Sequence, residues 1–134
     1  LRLLHAAGVI KLKDPNNTLA TKDDIVENPK NIQIKELPAG QTARALDDVA
    51  ASLINNGFAV EAGFQPTKDA IFIEQITDSS QPYYNVIAAK EGNENNEVYK
   101  KIVEYYQSPE TAKKIEEVSK GANVPVWEKA TLKN

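Results

Sequence analysis

With 134 residues, a net charge of −3, 41% hydrophobic and 26% charged residues, the chain has the size and make-up of one globular domain with a real core. Its charges are mixed along the chain with no basic block to track a phosphate backbone, which argues against nucleic acid as a partner, and no apolar run approaches the ~20 residues that span a bilayer. It has neither cysteine nor methionine, so disulfides, thiolate catalysis and cysteine-ligated zinc are excluded, and Leu1 is expected not to be the native start of translation.

In chain order, LRLLHAA (1–7) predicts the end of a helix closed by Gly8. Val9 to Lys13 alternates apolar and basic residues, a strand pattern, and DPNN (14–17) is a turn. Thr21 with Asp24 resembles a capping box opening a short helix that Pro29 stops. NIQIKEL (31–37) puts Ile32 and Ile34 on one face of a half-buried strand. A short helix is predicted over Gln41–Leu46. Val49–Ile54 is almost wholly apolar, which predicts a strand covered on both faces. A helix over 57–62 follows, then strands over Ala70–Glu74 and Tyr83–Ala89. Strands alternating with short helices argue for an α/β fold with a mostly parallel sheet, built on 32–37, 49–54 and 70–74.

From Glu94 onward the pattern is helical. Val98, Ile102 and Tyr105 or Tyr106 form one stripe. Ser108-Pro109-Glu110 is a strong second start, with serine at the N-cap, proline at N1 and an acid at N2, and that helix runs to Lys120 and Gly121. Burying one such apolar side chain is worth ~1.5–3 kcal/mol, so the stripes, Val118 and Ile115 included, need a surface.

Catalytic chemistry finds no candidate set. His5 is the sole histidine, in a leucine-rich helix end with no nucleophile elbow nearby. The pairs Asp23-Asp24 and Asp47-Asp48 are adjacent residues, which do not face each other on a helix. Asp14, Asn16 and Thr18 echo a calcium loop, but its sixth position is Leu19 and its twelfth is Ile25. There is no phosphate loop or dinucleotide signature. Asn16-Asn17-Thr18 is a glycosylation sequon by pattern, and GNENN (92–96) reads as a polar loop. The expectation is a protein that is not an enzyme and uses no metal or cofactor. One stretch stands apart: SLINNGFAVEAG (52–63) sets Asn55 and Asn56 between an apolar strand and a helix. Asparagine there is either a helix cap or, at the C-terminal end of a strand, a ligand contact.

Several separated motifs carry a family resemblance: LLHAAGVIKLKD (3–14), DIVENPKNIQIKEL (24–37), LDDVAASLINNGFAVEAG (46–63), PTKDAIFIE (66–74) and PYYNVIAAKEGNEN (82–95). In this order and spacing the chain resembles the NlpA-type lipoproteins, the methionine-binding substrate proteins of ABC importers, through to VPVW at 124–127. The resemblance implies an α/β fold: the second lobe of a type II periplasmic-binding-protein-like architecture, plus C-terminal helices that return to the first lobe. Residues 1–83 are then expected to form the second lobe, incomplete at its N-terminus, and 84–134 the crossing strand and returning helices. The family's asparagine in the "IN" closing the buried strand falls on Asn55, and that of the PYYN-like motif on Asn85. An amide offers donors and acceptors to the head group of an amino acid. The family's carboxylate-gripping arginine falls before Leu1 by register, and Arg2 is not its equivalent.

The resemblance also implies the partners: methionine or a related amino acid, and the permease subunits of an ABC importer. Any membrane attachment would run through a lipid anchor upstream of this chain, at the cell surface or periplasmic face. With the first lobe absent, the terminal helices are expected to fold back or to pack on a second copy, as a dimer. The alternative from another class is a surface adhesion lipoprotein that keeps the fold without binding an amino acid. Ligand-dependent melting separates the two.

Overall fold

A computed structural model describes residues 1–128; the last residues of the 84–134 segment lie outside the described residues. Helix α1 (Arg2–Ala6) opens the chain. Gly8, at φ 69°, supplies the left-handed residue that ends it. Gly8 N–H donates to the His5 carbonyl and Val9 N–H to that of Leu4, the paired bonds of a Schellman motif. The chain then turns into β1 (Lys11–Leu12), which pairs antiparallel with β2 (Ile25–Glu27), with Lys11 opposite Glu27 and Leu12 opposite Ile25. An exposed Lys11–Glu27 ion pair at 2.6 Å spans the ladder. Ile10 and Leu12, 4% and 2% exposed, are the core of this unit.

Thr21 and Asp24 do form a capping box, but the helix they open is a single 3₁₀ turn, Lys22–Asp24. It ends before Pro29 because Asp24 already accepts the Lys13 N–H at 2.9 Å and the next residues join β1. The region predicted as one helix over 41–46 is two 3₁₀ turns, Ala39–Gln41 and Arg44–Asp48.

The expected central sheet is not formed. Among the described residues the sheet is two-stranded, β1 with β2. The segments 32–37, 49–54, 70–74 and 84–89 carry no strand ladder, and Tyr83 closes a 3₁₀ helix instead. Val49–Ile54, expected to be covered on both faces, leaves Val49 and Leu53 exposed, and Ile71 is 94% exposed. A strand exists only through its neighbour's N–H and C=O groups, and these segments find no such neighbour among the described residues. Residues 31–37 keep part of their alternation, with Ile32 and Ile34 half-buried. The Asn28 amide holds Ile32 from both sides, accepting its N–H at 2.9 Å and donating to its carbonyl at 3.0 Å.

Helix α2 (Asn56–Glu61) and the one-turn α3 (Pro66–Asp69) pack together around Ala59. Capped helices α4 (Glu97–Tyr106) and α5 (Pro109–Val118) follow. The Asn96 side chain accepts from Val98 and Tyr99 N–H, and that of Ser108 from Thr111 N–H. After α5 another Schellman motif runs from Gly121 N–H to the Glu116 carbonyl and from Lys120 N–H to that of Glu117. Ser119 and Ala122 in this turn are buried, and Tyr106 meets Trp127 edge to face at 6.3 Å between ring centroids. The apolar stripe itself stays in water: Val98, Ile102, Tyr105 and Val118 are all more than half exposed.

Candidate functional site

Asn55 closes the 49–54 segment and stands at the N-cap of α2, with extended backbone at φ −64° and ψ 142°. That is the conformation from which an asparagine side chain normally accepts an N–H of the first turn. It does not do so here. The contrast with α4 is direct, because the same residue type at the same position, Asn96, caps fully. Asn55 is exposed, and its amide makes no capping bond to its own helix.

Its neighbour does something different. Asn56, the first helical residue, donates its side-chain N–H to the Ala122 carbonyl at 2.5 Å, across 66 residues of sequence. The acceptor lies in the buried turn after α5, where a side chain at Gly121 would touch Thr67 of α3 at 3.8 Å. The two adjacent amides therefore divide the alternatives read from the sequence, with Asn56 tied to the scaffold and Asn55 left over.

Asn85 is exposed on the segment after the Asp78–Tyr83 3₁₀ helix. That helix begins with a Thr77–Ser80 capping box, and Ser80 is buried. The Arg2 guanidinium lies 5.2 Å from the centroid of the Tyr83 ring, while Arg2 Nε–H donates to the Pro15 carbonyl at 2.9 Å. Arg2 thus links α1 to the loop at Pro15 and to the start of the Asn85 segment. The two candidate asparagines sit on different segments, each at an exposed end of an apolar stretch. Each presents a carbonyl oxygen and an NH₂ group, the complement of an ammonium and a carboxylate.

His5 has a structural task that its sequence did not announce. Its Nδ1 accepts the N–H of buried Leu12 at 3.2 Å. It also lines a depression of about 290 Å³ with Ile10, Lys11 and Glu27, which includes neither Asn55 nor Asn85. In the loop before α4, the Glu94 carboxyl is held below the usual carboxylate range by its own backbone N–H and by that of Gly92, the latter at 2.9 Å. Neither the Asn56–Ala122 bond nor the His5–Leu12 bond has a signal in the sequence, since each joins a common residue type to a backbone group.

The family model described as NlpA lipoprotein matches residues 1–127. The chain belongs to the NlpA lipoprotein family. Among NlpA relatives, it is 45% identical over 129 residues to the D-methionine-binding lipoprotein MetQ of Salmonella typhi, covering 95% of this chain and 46% of that protein. It is 42% identical to the probable D-methionine-binding lipoprotein MetQ of Pasteurella multocida, covering 95% and 45%. The chain spans about half the length of the curated relatives it matches. A nutrient binding protein from Burkholderia cenocepacia, solved bound to methionine, aligns with TM-score 0.79 at 46% identity, over 91% of this chain and 51% of that one. Protein PG110 from Staphylococcus aureus aligns with TM-score 0.82 at 44% identity, over 93% and 49%. The α/β periplasmic-binding-protein fold class expected from the sequence therefore stands, although the strands of its central sheet are not laddered here.

Proposed function

We propose that this NlpA chain is the ligand-contacting part of an extracytoplasmic substrate-binding lipoprotein that delivers methionine or a related amino acid to an ABC importer. The observation that carries the proposal is the withheld amide of Asn55, in a chain so similar to a protein solved with methionine bound. Asn55 and Asn85 hold the amino acid's charged head group in this reading. Their hydrogen bonds to a zwitterion outweigh those to water only in a closed, desolvated cleft.

Residues 1–83 are the second lobe in this reading, and 84–134 cross back to the first. The exposed α4–α5 stripe supports the return to another lobe: Val98, Ile102, Tyr105 and Val118 are all more than half exposed. The first lobe covers that stripe in the whole protein. For the chain by itself, a second copy is the substitute, and light scattering of the isolated chain reads a dimer. Delivery requires permease subunits as partners and a lipid anchor that keeps the protein at the cell surface or the periplasmic face of the membrane.

The test is calorimetric titration of the whole protein with L- and D-methionine. Micromolar or tighter binding is expected, weakened at least tenfold by Asn55→Ala and by Asn85→Ala, since each truncation leaves a charged group of the ligand short of a partner. Absence of binding to either isomer overturns the reading and leaves the adhesion alternative in its place.

A further inference from the structure

We propose that Asn56 is a positioning residue for the ligand site, and that its bond to the turn after α5 is what keeps the Asn55 amide free; this rests on the reading of Asn55 as a ligand contact. Helix α2 has six residues, too few to be stable by its own hydrogen bonds. Its start must be fixed from outside. The Asn56 Nδ2–H to the Ala122 carbonyl, at 2.5 Å, does this at the first helical residue.

The acceptor is well suited to serve as an anchor. The Schellman bonds from Lys120 and Gly121 hold the turn, Ser119 Oγ accepts the Asn123 N–H at 3.0 Å, and Ser119 and Ala122 are buried. With Asn56 pinned there, the peptide between the two asparagines has little freedom. Asn55 keeps its extended backbone, and its side chain makes no capping bond to the helix. Without the anchor, the first turn of α2 frays or reorients. The Asn55 amide then either turns back to cap α2, as Asn96 caps α4, or samples many directions. Either outcome costs affinity, because a contact must be held in place before the ligand arrives.

The tie has a second consequence. It joins the end of the 49–54 segment, which carries Asn55, to the end of α5, so a change in the placement of α5 is felt at the head-group contact. Asn56 never touches the ligand and acts only through Asn55.

A double-mutant cycle on the whole protein tests this, with L- and D-methionine as probes and affinity and thermal melting as readouts. Asn56→Ala is expected to weaken methionine about five- to tenfold, the worth of one hydrogen bond. In an Asn55→Ala background the same substitution is expected to change affinity less than twofold, since the group it positions is gone. An equal, additive loss in both backgrounds overturns the proposal, as does a lowered melting temperature with unchanged affinity, which is what a purely structural tie gives. Should Asn56→Ala fail to fold, Asn56→Leu, which keeps the size and removes the donor without adding a charge, is read in the same way. If Asn55→Ala and Asn85→Ala weaken binding while both Asn56 variants bind normally, the ligand site stands and the positioning role alone falls. If the unmodified protein binds neither isomer, both fall together.

Discussion

In the α1–β1–β2 unit, Ile10 and Leu12 are 4% and 2% exposed; on α4, Val98, Ile102 and Tyr105 are 63%, 51% and 76% exposed. Both regions carry sharp local signals. The first has its Gly8 cap and its alternating strand, the second its Asn96 and Ser108 caps. The difference is in what happens after local structure forms. Helix α1 meets β1 within the same stretch of chain, and the Leu12 N–H closes on His5 seven residues away. Helices α4 and α5 form equally well but meet only part of what their stripe needs. A cap and a periodic pattern are enough to make a helix, whereas burial depends on a surface that the helix does not itself encode.

The sharpest way to break this comparison is truncation at matched positions. Leu12→Ala removes a side chain from a closed site and is expected to cost about 2–5 kcal/mol, enough to abolish the β1–β2 unit. Ile102→Ala, in the isolated chain diluted until it is monomeric, is expected to stay within about 0.5 kcal/mol. Denaturant midpoints measure both, and a large loss at Ile102 would show that the stripe is covered without a second copy.

Removing the His5 ring sharpens the point. His5→Ala leaves the Leu12 N–H buried without an acceptor, an expected loss of about 1–3 kcal/mol. His5→Asn retains an acceptor and is expected to recover part of it. Ser108→Ala, at the start of α5, is expected to cost about 1 kcal/mol and to act locally. Faster amide exchange in the first turn of α5, with the β1–β2 unit unaffected, is the matching observation.

The smallest effect concerns Glu94. Its carboxyl is lowered in the folded chain by its own N–H and that of Gly92, so its stabilising effect is present above the unfolded value near 4.5 and lost as pH falls through the folded one. Glu94→Gln is expected to flatten this acid limb of the stability curve by slightly lowering stability at neutral pH, while leaving stability in acid, where the carboxyl is protonated, nearly unchanged. An unaltered acid limb would show that the loop bond is not held in solution.

The same contrast explains what the sequence made legible. Helices and their ends were readable because caps act over three or four residues: Gly8 ends α1, Asn55 precedes α2, and Ser108-Pro109 opens α5. The strands over 49–54 and 70–74 were not, because their apolar runs state a preference for burial while a ladder needs a partner from elsewhere. The short helix predicted from Thr21 lost to β2 for the same reason, since pairing with β1 claimed Ile25–Glu27. At the candidate site the motif located Asn55 and Asn85, and family membership gave them a role to test. That Asn55 is withheld from its helix and Asn56 tied to Ala122 became visible only in three dimensions.

The Asn28 clamp on Ile32 bears on how a neighbouring strand would join this chain. In an extended segment, one residue's N–H and C=O face the same edge, and the next residue's face the other. The Asn28 amide fills both groups of Ile32. On that edge, an incoming strand finds its first vacant pair at Ile34, two residues further on, and cannot slide back across Ile32. The opposite edge, served by Gln33 and Lys35, lies outside the reach of this clamp. A single side chain thus sets where pairing along 32–37 begins on one edge, and with it which face of an added strand meets Ile32 and Ile34. Because the period of a strand is two residues, a slip of one would turn that face outward.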